Sequence, residues 1–385
     1  MPDLRCTELP TRLRSARESR GMARRVLAAE AGLAPQTVNV LENSGRNAGV
    51  ATIERLANVL RVSPAWLAYG MQPLRRVLNY RVAPGFDPIA YIRQVDAAVR
   101  GYGGRLDQSM LYIDPFSAAQ YAALTEGAKQ LPLEGAAKVI RSLGFEPWSV
   151  IGLGSGMARH ETRLVELLLQ QANVFEEDSV ECYLVDISHT LLIGGYLHAV
   201  DRLQGNVPVV AIEGDFRRLP TFMHFVSPQA PRRKLVTMLG FTIGNLPSEI
   251  DFIRESLVGC SRGDLLLLDF GLRHGEIKEE AAASFSRATP HLSFLTKPLS
   301  RVYNEDAISV ESRVEMRCPV PDSYALEIHA TVKLKDGVRQ FMVASWRRYE
   351  ANALFQAFSS IGWENVDSWT FDEERPNCLA LFRRR

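Results

Sequence analysis

The sequence predicts a chain in two parts: a small all-α module, then an α/β domain built on a parallel sheet covered on both faces. Short amphipathic helices separated by glycine fill residues 9 to 70. From Trp148 onward near-continuous apolar strands alternate with helical periods, the pattern of a parallel sheet buried on both sides. Between the first such strand and its helix lies "IGLGSG", three glycines in six residues, where backbone alone can approach a ligand.

A chain of 385 residues exceeds one typical domain, which suits a module joined to a larger unit. Its 46% hydrophobic and 23% charged residues are the balance of an ordinary globular protein, so extensive disorder is not expected. With a net charge of +1, nucleic-acid binding would need a local patch rather than a global field. Cys6, Cys182, Cys260, Cys318 and Cys378 are scattered without a CxxC pair, which argues against a disulfide framework and against a metal site. The start "MPDLRCTELPTRLR" has no apolar leader and "DLLLLDF" is too short to span a bilayer, so a cytoplasmic location is expected.

In the module, "LPTRLRSARESRG" turns Leu13 and Ala16 inward and its arginines outward, with Gly21 as the stop. "ARRVLAAEAGL" ends at Gly32, "APQTVNVLENSG" follows, and Ile53, Leu56, Ala57 and Leu60 recur at helical spacing in the next run. Ala28, Ala31, Gly32 and Leu33, with the closing "VSPAWLAYG", resemble the helix-turn-helix domain of the Cro and phage-repressor family. The resemblance implies that residues 34 to 43 are a recognition helix presenting Gln36, Thr37, Asn39 and Asn43 to DNA, side chains suited to reading adenine. It also implies a homodimer on two half-sites. The helix carries no Lys or Arg, and ten arginines against six carboxylates over residues 1 to 70 make a modest basic footprint. The competing reading is a module kept for dimerisation, with Val40 in the interface.

"MQPLRRVLNYRVAPGFDP" carries three prolines and a glycine and predicts a linker over 71 to 104, after a module over 1 to 70. The remaining domain runs from 105 to 385. Residues 88 to 145 read mostly as helices, as in "AYIRQVDAAVRGYG" and "SAAQYAALTEGAKQL".

The strands then end in chemistry. A glycine turn at the end of a first strand can contact a dinucleotide pyrophosphate or the adenosyl amino acid of S-adenosylmethionine (SAM). Gly152, Gly154 and Gly156 run G-x-G-x-G, and the third spacing is wrong for the dinucleotide fingerprint. The second strand ends in Asp186, placed for a ribose hydroxyl pair. The third ends in "EGDF", where Asp215 can meet an adenine amino group with Phe216 against the ring.

"IGLGSG", "VDIS", "GDF", "LGFTIGNLP" and "LLLLDF" together resemble the methyltransferase domain of the ergothioneine-pathway histidine Nα-methyltransferases. The resemblance implies a Rossmann-like class I methyltransferase with an added substrate-covering domain, built from residues 105 to 145 and about 275 to 345. It implies SAM as cofactor and S-adenosylhomocysteine as product, with Gly154, Asp186, Asp215 and Phe216 on the cofactor and Asn245 on the amino-acid end of the acceptor. A family tyrosine falls at Tyr112, and Asn245 and Tyr112 are the expected orienting groups for catalysis. Either His160 or Glu161 takes the place of a cofactor-contacting lysine. The family's acceptor carboxylate and hydroxyl fall at Ala344 and Trp346, and a further tyrosine at Phe285. These substitutions remove the partners of an imidazole and point to a flatter or more apolar acceptor.

The expected activity is therefore N-methylation of a small amino-acid-like or heterocyclic metabolite, with histidine not held in the family's usual way. The rival is a DNA-binding regulator that senses SAM or a metabolite without turnover. A DNA-base methyltransferase would carry a second proline and an aromatic where this chain has Pro247 and Ser248, after Asn245 and Leu246.

Overall fold

The computed structural model describes residues 9–44, 48–60, 62, 64–69, 79–101, 103–124, 131–144, 148–169, 180–204, 207–226, 232–288, 291–316 and 318–385. They fall into two units, Met1–Leu78 and Asn79–Arg385. None of the described helices is long and apolar enough to cross a membrane.

The first unit holds α1 (Leu9–Ser19), α2 (Arg24–Glu30), α3 (Pro35–Ser44), α4 (Val50–Leu60) and α5 (Pro64–Tyr69). Leu13, Leu27, Val38, Leu56 and Leu67 meet in one apolar core. Gly21 and Gly32 adopt left-handed φ of 62° and 63°, which ends α1 and sets the α2–α3 turn. Gln36, Asn39 and Asn43 are exposed on α3 and Thr37 is half-buried.

Not all α1 arginines face outward, as the periodicity predicted. Arg12 and Arg17 are buried. Arg12 donates to the carbonyls of Leu67 and Ala68 at the end of α5. Arg17 forks onto Glu42 of α3 at 2.6 and 3.0 Å, and Arg24 of α2 reaches the same carboxylate at 2.7 Å. The pairing holds Glu42 below the usual carboxylate range although burial pushes the other way. Arg14 and Arg24 also touch Asn43 and Asn39, so cationic side chains lacking within α3 flank it from neighbouring helices.

Among the described residues the second unit contains twelve strands: β1 (Tyr80–Val82), β2 (Gly104–Arg105), β3 (Trp148–Leu153), β4 (Val180–Asp186), β5 (Val209–Glu213), β6 (Arg233–Met238), β7 (Leu265–Leu272), β8 (Ile308–Glu315), β9 (Tyr324–Leu334), β10 (Gly337–Tyr349), β11 (Trp363–Phe371) and β12 (Asn377–Arg384). Parallel strands run β1-β5-β4-β3-β6-β7, and β12 then pairs antiparallel with β7 and carries β11 outside it. β10 joins β7 at Gly271 and Leu272, beyond the point where β6 stops, and bears β9 and β8.

Side-chain alternation divides the core. On one face Val150, Leu184 and Leu267 pack with α9 (Leu133–Ser142), α10 (Arg159–Leu169) and α11 (His189–Leu203). On the other, Ile151, Val185 and Leu268 pack with α12 (Glu249–Ser256) and α16 (Ala351–Ser360). A third cluster is the cap: Val99 of α6 (Pro88–Arg100), Leu111 of α7 (Met110–Ile113), Phe294 of α14 (Leu292–Leu295) and Leu299 of α15 (Lys297–Ser300) pack on Ile328, Phe341 and Ala344. The helices α8 (Pro115–Leu124) and α13 (Ile277–Ala288) supply Tyr121 and Phe285 to it.

Two expected boundaries change. Residues 79 to 104 are not linker: β1 adds to the edge of the sheet, and Pro88 opens α6 behind the Asp87 cap. Within 105 to 145, α9 packs on the core sheet rather than in the cap.

Replacing Glu42 with Gln leaves Arg17 buried without its counter-charge, a loss of about 3–5 kcal/mol. Hydrogen exchange of the full chain is expected to show the amides of α1 and α3 losing protection by about two orders of magnitude or more. Those of β3 keep theirs.

Candidate active site

The turn after β3 is fixed by backbone. The N–H groups of Gly154 and Ser155 both donate to the carbonyl of Val185, at 2.9 and 3.2 Å. Gly154 and Gly156 have φ of 66° and 49°, where a side chain would be strained. A Cβ on Gly154 would stand 3.1 Å from Thr242 and 3.3 Å from Phe216, filling the space above the turn. Gly195 of α11 has the same kind of reason, since a Cβ there would lie 2.5 Å from the carbonyl oxygen of Gly156.

Asp186 ends β4 beneath this turn. Its Oδ2 accepts from the Gly156 N–H at 2.7 Å and its Oδ1 from the Ser188 N–H at 2.8 Å. Burial pushes its carboxyl up to about 6 against those two donors. Asp215, after β5, accepts from the Arg217 side chain through both oxygens. Arg217 also meets Asp107 of the cap at 2.8 Å. Burial opposes its charge, yet the hydrogen bonds to Asp215 and the charge of Asp107 hold the guanidinium above its ordinary value. Phe216 stands edge-on to Phe252, with ring centres 5.5 Å apart.

After β6 the "LGFTIGN" segment forms the next wall. Phe241 is left-handed at φ 62° and its N–H donates to Asp269 Oδ1 at 3.0 Å. A non-glycine residue held there marks a place where surrounding structure over-determines the backbone. Gly244 lets β10 come close, for a Cβ would lie 3.3 Å from the Arg347 nitrogen. Arg347 in turn donates to the carbonyls of Leu246 and Pro247 and to Glu249, at 2.6, 2.7 and 2.6 Å.

These walls and the cap enclose a cavity of about 1020 Å³. It brings together Gly154, Gly156, Asp186, Asp215, Phe216 and Asn245 with Tyr112, Phe294 and Trp346. Tyr112 packs edge-on against Tyr121 at 4.9 Å, and burial raises its phenol well above the ordinary range.

Three expected residues are elsewhere. Gly152 is buried below the turn and outside the cavity wall, its missing Cβ leaving room for Glu161. Ala344 is buried in the cap core, and Phe285 packs on that core without forming part of the wall. The pairing of β10 with β9 shifts register between Met342 and Ala344, just before the Ala344–Trp346 stretch. The sequence reading missed Asp269, Arg217, Arg347 and Phe241. A lone acid closing "LLLLDF" was a visible signal for Asp269; the others depend on partners far along the chain.

Residues 13–67 match the family model described as helix-turn-helix, and residues 129–287 match the one described as histidine-specific methyltransferase, SAM-dependent. No curated protein matches the chain. Among solved structures, the CcbJ methyltransferase of Streptomyces caelestis is 18% identical, with 66% of this chain and 97% of that one covered at a TM-score of 0.36. Magnesium protoporphyrin IX methyltransferase of Synechocystis, with bound S-adenosylhomocysteine, is 9% identical, covering 72% and 98% at 0.40. The 1,6-didemethyltoxoflavin-N1-methyltransferase of Burkholderia thailandensis is 11% identical, covering 78% and 92% at 0.40. The chain carries a Cro-type helix-turn-helix domain over residues 13–67 and, on a Rossmann-like class I fold, a SAM-dependent methyltransferase domain of the histidine-specific family over residues 129–287.

Proposed function

We propose that the cavity seats SAM with its ribose hydroxyls on Asp186, its adenine between Asp215 and Phe216, and its amino-acid end beyond Gly154. The acceptor lies under the cap against Asn245, Tyr112 and Trp346 and receives the methyl group on nitrogen. The observation that carries this reading is the Asp186 carboxyl, buried at the cavity wall and locked by two backbone N–H groups next to a left-handed glycine turn. Each Asp186 oxygen accepts one of these bonds and keeps lone-pair capacity for a hydroxyl donor.

When bound, the sulfonium of SAM supplies a methyl group open to in-line displacement. The protein's task is to hold a nitrogen lone pair in that line, and orientation of this kind contributes about 7–11 kcal/mol. An amine or ring nitrogen attacks in its neutral form and sheds its proton afterwards, so orienting groups matter more than a strong base. Asn245 supplies an acceptor and donors; Tyr112, kept protonated by burial, supplies a phenolic donor. Trp346, Phe294 and Tyr112 make a wall that favours a flat heterocycle or an aromatic amino-acid-like metabolite and excludes water. Ala344 and Phe285 support that wall from behind. Histidine finds no carboxylate at Ala344 to grip its imidazole.

A second reading concerns the first unit, and the exposed amides of α3 flanked by Arg14 and Arg24 favour it. Gln36, Thr37, Asn39 and Asn43 face operator DNA, bound as a homodimer on two half-sites, and cofactor occupancy biases that binding.

Calorimetry with SAM and S-adenosylhomocysteine tests the first reading. Asp186→Ala is expected to abolish binding of both, and an amino-acid-like acceptor pool is expected to yield S-adenosylhomocysteine with wild-type protein. Binding without turnover on any nitrogen acceptor would leave the sensor reading standing alone. Affinity is also expected to rise with pH: hydroxyl donors prefer the ionised Asp186, which forms as pH climbs through about 6. Titrations at several pH values should show Asp186→Asn losing that part of the rise. For the second reading, Asn39→Ala should weaken specific DNA binding by about 1–3 kcal/mol in a fluorescence-anisotropy titration.

A further inference from the structure

Gly152 poses the question that the cofactor reading leaves over. It lies under the turn rather than on the cavity, and a Cβ there would stand 2.7 Å from Cγ and 3.3 Å from Cδ of Glu161. The glycine therefore admits an acidic side chain from the first turn of α10 into the sheet. Glu161 is 2% exposed and forms part of the cavity wall.

Around it the wall holds two buried carboxyls and two hydroxyls, and no cation is paired with either carboxyl among the described residues. Asp269 is fully buried and its Oδ2 has no partner; the hydroxyl of Ser155 is buried and also unpartnered, and the buried Thr237 hydroxyl lies beside Glu161. Among the described residues neither Glu161 nor Asp269 is ion-paired. Burial pushes Glu161 up to about 8 and Asp269 up to about 7, and Glu161 is raised further by Asp269 and Asp186. Buried carboxyls in this state are costly unless a cation joins them.

The sheet fixes where such a cation would come from. Gly152 is the register partner of Thr237, and Thr237 of Leu267, so Glu161 lies over β3 and β6, with Asp269 two residues further along β7. The adenosyl half belongs to the ends of β4 and β5, on the other side of Gly154. What reaches β6 and β7 is the amino-acid end.

We infer that Glu161 and Asp269, with the hydroxyls of Ser155 and Thr237, receive the α-ammonium group of the cofactor's amino-acid end. The inference rests on the SAM reading above. An ammonium carries three donors, a positive charge and no acceptor, which suits two buried carboxyls that lack a counter-charge and hydroxyls that can turn to accept. Its arrival restores the ionised carboxylates by placing an opposite charge beside them. Gly152 serves the cofactor indirectly, by making room for Glu161.

The test compares S-adenosylhomocysteine, which has the ammonium, with 5′-methylthioadenosine, which lacks the amino-acid end, by calorimetry on the full chain. Glu161→Gln keeps size and shape; it is expected to weaken S-adenosylhomocysteine about tenfold or more and to leave methylthioadenosine within about twofold. Asp269→Asn should give the same selective loss. Gly152→Ala should reproduce it by displacing Glu161, with circular dichroism checking that each variant is folded. Unchanged affinity for S-adenosylhomocysteine, or equal weakening of both compounds, overturns the inference while leaving the cofactor reading intact. Wild-type protein that binds neither compound overturns both.

Discussion

One hydrogen bond organises the larger unit: the Gly156 N–H donating to Asp186 Oδ2 at 2.7 Å. It ties the turn after β3 to the end of β4, and so sets where α10 and α11 begin. The bond exists only because Gly154 and Gly156 are left-handed and because Gly195 lets α11 lie against the Gly156 carbonyl. A methyl group at any of the three would either strain the turn or push the helix away. Asp186 thus closes a loop that could otherwise adopt several forms, and it does so with the same carboxyl that faces the cavity.

This arrangement has an energetic consequence. Asp186, Glu161 and Asp269 are all buried on one wall and all raised by burial. Around neutral pH the ligand-free protein keeps Glu161 largely protonated while Asp186 is largely ionised at a cost set by burial, and stability is lower than an apolar wall would give. A ligand with two cationic groups and a net positive charge at neutral pH, such as a sulfonium amino acid, is the kind that relieves such a wall. Binding and stability are therefore linked through the same carboxyls.

What the sequence made legible was local. The order of strand ends, the glycine turn, Asp186 and the α2–α3 turn each depend on a few adjacent residues, and periodicity with turn chemistry was enough to find them. The misplaced features depend on distant partners. The prolines of residues 71 to 88 suggested a linker, but three residues of edge strand need little pattern to pair with β5, and the helical spacing read from residue 88 onward belongs to α6 of the domain rather than to a linker. Helical spacing identified α9 but could not say which layer it covers. Arg17 looked like an exposed arginine until Glu42, on another helix, supplied its buried partner. Gly152 was read with its two neighbours because spacing alone does not distinguish a glycine under a ligand from one under a side chain.

Two guanidiniums give the cap its attachment to the site. Arg217 bridges Asp215 at the end of β5 to Asp107, and Asp107 accepts from Ser109 in the segment leading into α7, the helix of Tyr112. Arg347, on the cap strand β10, holds the loop that carries Asn245 and the first residue of α12. Each ties a strand end or loop of the sheet at the cavity wall to the cap. Planar, multiply bonded arginines fix orientation as well as distance, which a lysine in either place would not. The cavity is thus shaped from both sides by rigid forks rather than by the apolar cap core alone. On the proposed reading, a different acceptor wall at Trp346 can coexist with the cofactor wall because the two are joined through Arg217 and Arg347, not through the residues that differ.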